Sequence, residues 1–354
     1  MTKKWVWMAL FGLLAWVHAA GVRVTLYASF AEVQTPVRLD HGVYVWQPGE
    51  RALGSLVEDL VWLSGVEVKR RVWRKGALWF FAQGDQARLH YLTQGLSGSV
   101  RYRFLLDQGR LEGWLRVRNT LDEPVEVEAL RFLSGNVPLS ARAVGRVGDK
   151  QVRALAVAKS APVEEGFVGA QGGVFRYQLA GPLRLEPEVT ELPLFEAQAD
   201  PVFFWRYRGG FVRGRRLPLE RGYRFQATAP LAAGVVDLFQ AGDFLGRLSI
   251  PDRYPGEPVE LRLGPATRAR TERQVEALAE TRELRRYRVT TRVRNPGEEP
   301  VRVEIEERFS ADAIEITLSG GERIPQGYRI VFDLPPGGER TYQYTVTLRY
   351  KKRP

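Results

Sequence analysis

From Val22 onward the chain alternates apolar and polar residues at period two and is broken at short intervals by Gly, Pro, Asn or Asp. Alternate residues of a strand point to opposite faces, so this pattern predicts half-buried β-strands and an all-β fold. VRVTLY, ASFAEVQTPVRL and GVYVW are the first three strand candidates, and KRRVWRKGALWFFAQ reads as a hairpin with Lys75 and Gly76 at its tip. SVRYRFLLDQGRLEGWLRVRN reads as another, turning at Asp107, Gln108 and Gly109. Two segments carry helical spacing. Between Glu50 and Ser64 the residues Leu53, Leu56, Val57, Leu60 and Val61 fit a helix or a strand equally, and Thr271–Thr281 carries a weak stripe of Val275, Leu278 and Ala279.

One phrase occurs twice: RVRNTLDEPVEV from Arg116 to Val127 and RVRNPGEEPVRV from Arg292 to Val303. In each copy a strand leads to a turn built on Asn119 or on Asn295 and Gly297, residues that tolerate turn backbone. Pro124 or Pro300 then opens the next strand. Direct pairing of the two strands would set Arg116 against Glu126 and Arg288 against Glu306. The turn of about six residues instead favours a crossing between facing sheets, as in immunoglobulin-like sandwiches. The expected organisation is a signal peptide at 1–19, an N-terminal β-domain at 20–95, a middle β-sandwich at 96–200 and a C-terminal β-sandwich at 201–354. The Pro-rich, acidic stretch Leu185–Pro201 is the expected linker.

The N-terminus supplies the location. Lys3 and Lys4 precede the apolar run Trp5–Val17, and Val17 and Ala19 are the small residues expected before cleavage, which is placed after Ala19. The run is shorter than the roughly 20 residues that span a bilayer, so no transmembrane anchor is expected after cleavage. The protein is expected to be exported, periplasmic or extracellular. Losing two lysines leaves 50 basic against 41 acidic residues, a charge of +9. A basic exported surface suits an envelope protein or an anionic polymer (polysaccharide, lipid headgroup or DNA) as partner, or is an evenly spread solubility charge. Arg outnumbers Lys 44 to 8, which fits heat tolerance or a GC-rich genome.

Composition removes much chemistry. Without cysteine there is no thiol catalysis, and with only His41 and His90 beyond the leader a His-rich metal site is not expected. No serine sits in a GxSxG elbow. The glycines at 166, 169, 172 and 173 precede VFRYQL, a strand rather than a helix, so they read as a flexible loop and not a phosphate cradle. No cofactor is expected. Glu164 with Glu165, and Glu304 with Glu306 and Glu307, are neighbouring charges and not an evident acid pair across a cleft.

The functional hint is arginine density. Arg286, Arg288, Arg292 and Arg294 crowd one segment, and Arg206, Arg208 and Arg213 another beside Trp205, Tyr207 and Phe211. Guanidinium groups two residues apart on a strand are spaced by about 6.8 Å, near the repeat of a polyanion backbone. Pairing with glutamates on neighbouring strands is the competing expectation.

Several segments also resemble a known family: VRVTLYASFAEVQTPVRLDHGVYVW, VRNTLDEPVEVEALRFLSGNVPL, PLAAGVVDLFQAGDFLGRLSIPDRYPGEPVELRLG and YRVTTRVRNPGEEPVRVEIEERFSADAIEI. Their order is similar to that of the domain-of-unknown-function family typified by mucoidy-inhibitor-A-like envelope proteins. The chain would be a short form lacking the long coiled coil, and RFSADAIEI departs from the family's usual Pro-containing version. The resemblance implies β-sandwich domains and an envelope location, and brings no catalytic residues. The expected function is a non-catalytic exported scaffold or interaction module that binds anionic polymers. The alternative is an envelope polysaccharide-processing hydrolase using paired carboxylates.

Overall fold

The computed structural model describes residues 21–49, 54–135, 166–171 and 174–351. The expected leader at 1–19 lies outside them. Among the described residues the fold is all-β, in twenty-five strands. They are β1 (Arg23–Leu26), β2 (Ala31–Arg38), β3 (Val43–Trp46), β4 (Leu56–Ser64), β5 (Glu67–Arg74), β6 (Ala77–Gln83), β7 (Gln86–Thr93), β8 (Leu96–Leu105) and β9 (Arg110–Asn119). Then come β10 (Val125–Leu133), β11 (Gly166–Gln171), β12 (Val174–Leu185), β13 (Glu188–Gln198), β14 (Val202–Gly210), β15 (Glu220–Gln226), β16 (Gly234–Gln240) and β17 (Asp243–Ile250). The last are β18 (Pro258–Pro265), β19 (Arg270–Glu280), β20 (Leu284–Arg294), β21 (Val301–Arg308), β22 (Ala313–Leu318), β23 (Glu322–Ile324), β24 (Gly327–Leu334) and β25 (Glu339–Arg349). No helix among the described residues is long and apolar enough to cross a membrane.

The chain divides into two compact units. One is Met1–Arg103, Leu111–Ala197 and Pro230–Val236, and the other is Phe104–Arg110, Gln198–Ala229 and Asp237–Pro354. In the first unit a seven-stranded sheet runs β11-β12-β10-β1-β2-β7-β4, with β1 and β10 parallel. Val24, Leu26, Val33, Leu130, Phe132 and Tyr177 are buried on its inner face. A small sheet, β3-β6-β5, packs Leu78, Phe80, Tyr44 and Trp46 against Val61, Leu63 and Leu89 of β4 and β7. The hairpin tip at Lys75 and Gly76 takes φ of 51° and 74°, the paired positive values of a two-residue β-turn that matches strand twist.

In the second unit two sheets, β18-β15-β14-β21-β24-β23 and β19-β20-β25-β22, close on one core. Trp205, Val303, Ile305 and Phe332 of the first sheet meet Tyr287, Val289, Tyr344 and Val346 of the second.

Three local expectations give way to strands. Thr271–Thr281 is almost wholly β19, because Thr271, Val275 and the buried Arg273 alternate inward against β20 and outweigh the weak helical stripe. The expected linker at Leu185–Pro201 contains β13, and the expected glycine loop contains β11, paired to β12. Of the ambiguous segment before Gly65, Leu56–Ser64 is β4, paired to β7 with a bulge, and residues 50–53 with Leu53 lie outside the described residues.

The repeated phrase crosses between sheets in both copies. β9 and β10 lie in different sheets, as do β20 and β21. Arg302 pairs with Phe204 and Asp333, and Arg292 with Glu272 and Thr341, so the two flanking strands do not form a hairpin. Glu126 accordingly meets Arg184 of β12, and Glu306 meets Arg208 and Arg308.

Both crossings turn on a buried asparagine. Asn119 Nδ2 donates to the carbonyls of Glu123 at 3.1 Å and Leu185 at 3.0 Å, while its Oδ1 accepts from the amide of Leu121 at 2.9 Å. Asn295 repeats this with the carbonyls of Glu299 at 2.8 Å and Pro335 at 3.2 Å, and with the amide of Gly297 at 3.0 Å. An amide side chain carries both donors and an acceptor, so one residue satisfies the backbone of the turn and of a neighbouring strand end.

Candidate functional site

The seven candidate arginines fall on two strands of the second unit and the loop between β14 and β15. Along β14 the odd residues Trp205 and Tyr207 enter the core, which turns Phe204, Arg206 and Arg208 to the opposite face. Arg206 is 4% exposed; its Nη1 and Nη2 donate to Glu260 at 2.8 Å and its Nε to Glu304 at 3.1 Å. Arg224 bridges the same two carboxylates. Hydrogen bonds from Arg206 draw the Glu260 carboxyl down to about 2 against the opposing effect of burial. Arg208 pairs with Glu306, and Arg213 with Glu280 while lying over the Tyr287 ring. On β20, Arg288 pairs with Glu276, and Arg292 with Glu339 and Glu272. Arg286 and Arg294 are exposed, with no carboxylate in ion-pair reach among the described residues. Five of the seven are thus matched by glutamates on adjoining strands and loops.

A different polar surface is built on the outer face of the seven-stranded sheet. Across the ladders Arg23 stands opposite Gln34, Gln34 opposite His90, and His90 opposite Trp62, while Thr25 stands beside both Glu32 and Arg131. Partners in a ladder share a face, so these side chains form one layer. His90 is buried. Its Nδ1 lies 2.9 Å from Glu32 Oε1 and its Nε2 2.7 Å from Ser64 Oγ. A carboxylate only accepts, so Nδ1 donates, and in the neutral ring Nε2 is left to accept the Ser64 hydroxyl. Gln34 Nε2 donates to the same Glu32 oxygen at 3.0 Å, and Trp62 stacks on the imidazole at 4.8 Å.

Beside this trio are Arg23, Arg88, Arg131 and Arg176, one from each of β1, β7, β10 and β12. Among the described residues none has a carboxylate in ion-pair reach; Arg88 Nη1 donates to the carbonyl of Gly21 at 3.0 Å. Burial and the positive charge of Arg23 hold Arg88 and Arg131 below the ordinary guanidinium value, and Arg176 adds to this at Arg131. Glu128 opposes this at Arg88 and Glu32 at Arg131, so that among the described residues the four guanidinium groups outnumber the carboxylates acting on them.

Carboxylates elsewhere are committed. Glu304, Glu307 and Asp237 are each buried against arginines, and Glu32 against His90. The cleft beside Ile250, Pro251 and Arg262 holds the single acid Glu260, and the cleft beside Ser97, Arg116 and Arg118 holds Glu188. No group of three or more potential metal ligands occurs among the described residues.

Sequence reading missed both the trio and the arginine quartet. Ser64 and Glu32 are 26 and 58 positions from His90, and the four arginines lie on four different strands, so no local motif or charge density marks them. No protein-family model matches the chain, and the search of curated proteins found no match.

Proposed function

We propose that this chain is an exported cell-envelope protein built of tandem immunoglobulin-like β-sandwiches, and that it binds an anionic polymer. The binding surface is the outer face of the seven-stranded sheet. The observation that carries this is the quartet Arg23, Arg88, Arg131 and Arg176: four guanidinium groups gathered on one sheet face, none with a carboxylate in ion-pair reach among the described residues, with Glu32 and Glu128 offsetting their charge only in part. Like charges held together cost stability unless something answers them, and a polymer of phosphate, sulfate or carboxylate groups would do so. Export is supported by the Lys3–Ala19 leader pattern, and the sandwich reading by the two asparagine crossings. The envelope setting also follows the resemblance of the quoted segments to mucoidy-inhibitor-A-like proteins. In this reading the role is one of binding, without catalysis.

Retention on immobilised heparin as a function of salt tests the surface. Replacing Arg23, Arg131 and Arg176 with Ser should lower the eluting salt concentration sharply, because each lost contact releases fewer counterions. Unchanged elution would refute the surface, and replacing Arg286 and Arg294 serves as the comparison.

A second reading has its own observation, the hydrogen-bonded series Ser64–His90–Glu32. It has the order of a nucleophile, its base and the group that orients the base, and would support an acyl hydrolase rather than one based on paired carboxylates. A nucleophile of this kind also needs donors for the developing oxyanion. The residue facing Ser64 across the ladder is Arg88, whose Nη1 is engaged by Gly21. Labelling of the folded protein by a fluorophosphonate, lost in S64A, would establish this reading; absence of labelling removes it.

A further inference from the structure

The β5–β6 hairpin and its neighbour β3 present a surface separate from the arginine face, with a different composition. Every residue of β5 is exposed. The segment Glu67–Gly76 carries Lys69, Arg70, Arg71, Arg74 and Lys75 against the single acid Glu67. The ladders fix which side chains share the outer face. Val72 is opposite Trp79 and Trp79 opposite Val45, giving one row across three strands; Arg70, Phe81 and Val43 form the next. Val45 and Val72 are 40% and 38% exposed. The Arg70 guanidinium lies 4.3 Å from the centre of the Phe81 ring. The opposite face carries Leu78 and Phe80, buried in the core, and Trp73, which stands opposite Leu78 with its ring 6.5 Å from that of Trp46, so the outward valines are not needed to close the core.

Such a surface could take several kinds of partner, and its details choose among them. Strand addition to β5 is opposed by the bulge between Val68 and Arg70 and by the cationic side chains along the edge, both of which blunt an edge against pairing. A water-borne polyanion would engage the cations and leave Val45 and Val72 in water. A bilayer surface answers both features. Valine and the Trp79 ring enter the headgroup boundary, arginine and lysine stems lie along it with their charges at the phosphates, and Arg70, Arg74 and Lys75 select anionic lipid, whereas Arg71 is engaged by the Val61 carbonyl and Lys69 by Glu67.

We propose that the β3-β6-β5 sheet docks on a lipid surface rich in anionic headgroups, with the Val45–Trp79–Val72 row in the interface and Arg70, Arg74 and Lys75 on the phosphates. This contact is independent of polymer binding by the arginine face. It holds the protein against a membrane peripherally, through one small sheet of the first unit.

The test is co-sedimentation of the purified chain without residues 1–19. One set of vesicles contains equal parts phosphatidylglycerol and phosphatidylcholine, and the other contains phosphatidylcholine alone. The protein should sediment with the mixed vesicles only. R70S/R74S/K75S should weaken partition roughly a hundredfold, from the contribution of three basic residues near an anionic surface. V45S/V72S should lose vesicle binding while keeping its retention on heparin, and circular dichroism melts confirm that both variants are folded. R131S/R176S should partition like the unmodified chain while losing heparin retention. The inference is overturned if the protein stays in the supernatant with mixed vesicles, or if V45S/V72S sediments normally, which would make the surface a purely electrostatic one. Loss of sedimentation in R131S/R176S would also overturn it, by assigning lipid binding to the arginine face.

Discussion

Arg273 of β19 and Glu307 of β21 lie in facing sheets of the second unit, both side chains at 0% exposure, joined through Nη2 at 2.7 and 2.9 Å to the two carboxylate oxygens. The pair is fully furnished with partners. Tyr328 and Tyr344 hydroxyls donate to Glu307 Oε2 at 2.7 and 2.8 Å, the amide of Val212 donates to its Oε1, and Arg273 donates to Thr291 and to the carbonyl of Val212. Burial alone would lower the Arg273 pKa; Glu307 and the tyrosines outweigh it, and the net shift is upward. The pair acts as a polar strut between sheets whose surroundings are otherwise apolar.

Removing one end of that strut strands the other charge in a dry core. R273M and E307Q should each destabilise the protein by about 3–5 kcal/mol, whereas R273M/E307L should recover a large part of the loss, since a buried pair replaced by apolar groups of similar volume is often neutral. Urea unfolding of the three variants measures this, and additive losses in the double variant would contradict the strut.

Acid should weaken the second unit through Glu260 and Glu304. The Glu260 carboxyl, held by Arg206, falls from 4.5 to about 2. Burial alone would raise Glu304, but hydrogen bonds and charge from Arg224 and Arg206 bring it below its ordinary value. A depressed folded-state pKa contributes stability that is complete above the unfolded value and lost as pH falls toward the folded one. Melting temperature should therefore decline between about pH 4.5 and 2. E260Q should flatten that decline while lowering stability at neutral pH, and an unchanged acid limb in E260Q would count against this assignment.

The two crossing asparagines should behave as equivalents. N119A and N295A each leave buried backbone groups unpaired, at a cost of about 1–3 kcal/mol. N119D and N295D should be at least as damaging, because a carboxylate sets acceptors against the carbonyls of Glu123 and Leu185 or of Glu299 and Pro335. Denaturant midpoints of the four variants test the equivalence, and a large effect in one copy with none in the other would break it.

The arginine face should show the opposite sign. R131Q and R176Q remove mutual repulsion, so their stability should rise or stay within about 0.5 kcal/mol of the parent. Heparin should raise the melting temperature of the parent protein and raise that of R131Q/R176Q far less. A marked loss of stability in these variants would instead make the arginines structural.

Much of the architecture was written in the local pattern. Period-two alternation, turn residues at Asn119, Pro124, Asn295, Gly297 and Pro300, and the Lys75–Gly76 tip identify strands and their ends, because pleat and turn backbone depend on a few adjacent residues. The repeated phrase even indicated its own crossing between sheets. Partner choice was not written there. Whether Arg206 met a glutamate or solvent depended on β14 lying beside β15 and β21, with Glu260 of β18 in reach, pairings among strands up to 98 residues distant. The Ser64–His90–Glu32 series and the four unpaired arginines likewise came into being only when β1, β2, β4, β7, β10 and β12 took neighbouring places in one sheet. Side-chain periodicity is a property of a single strand and can be read residue by residue; charge neutralisation is a property of the ladder, and only the folded order of strands decides it.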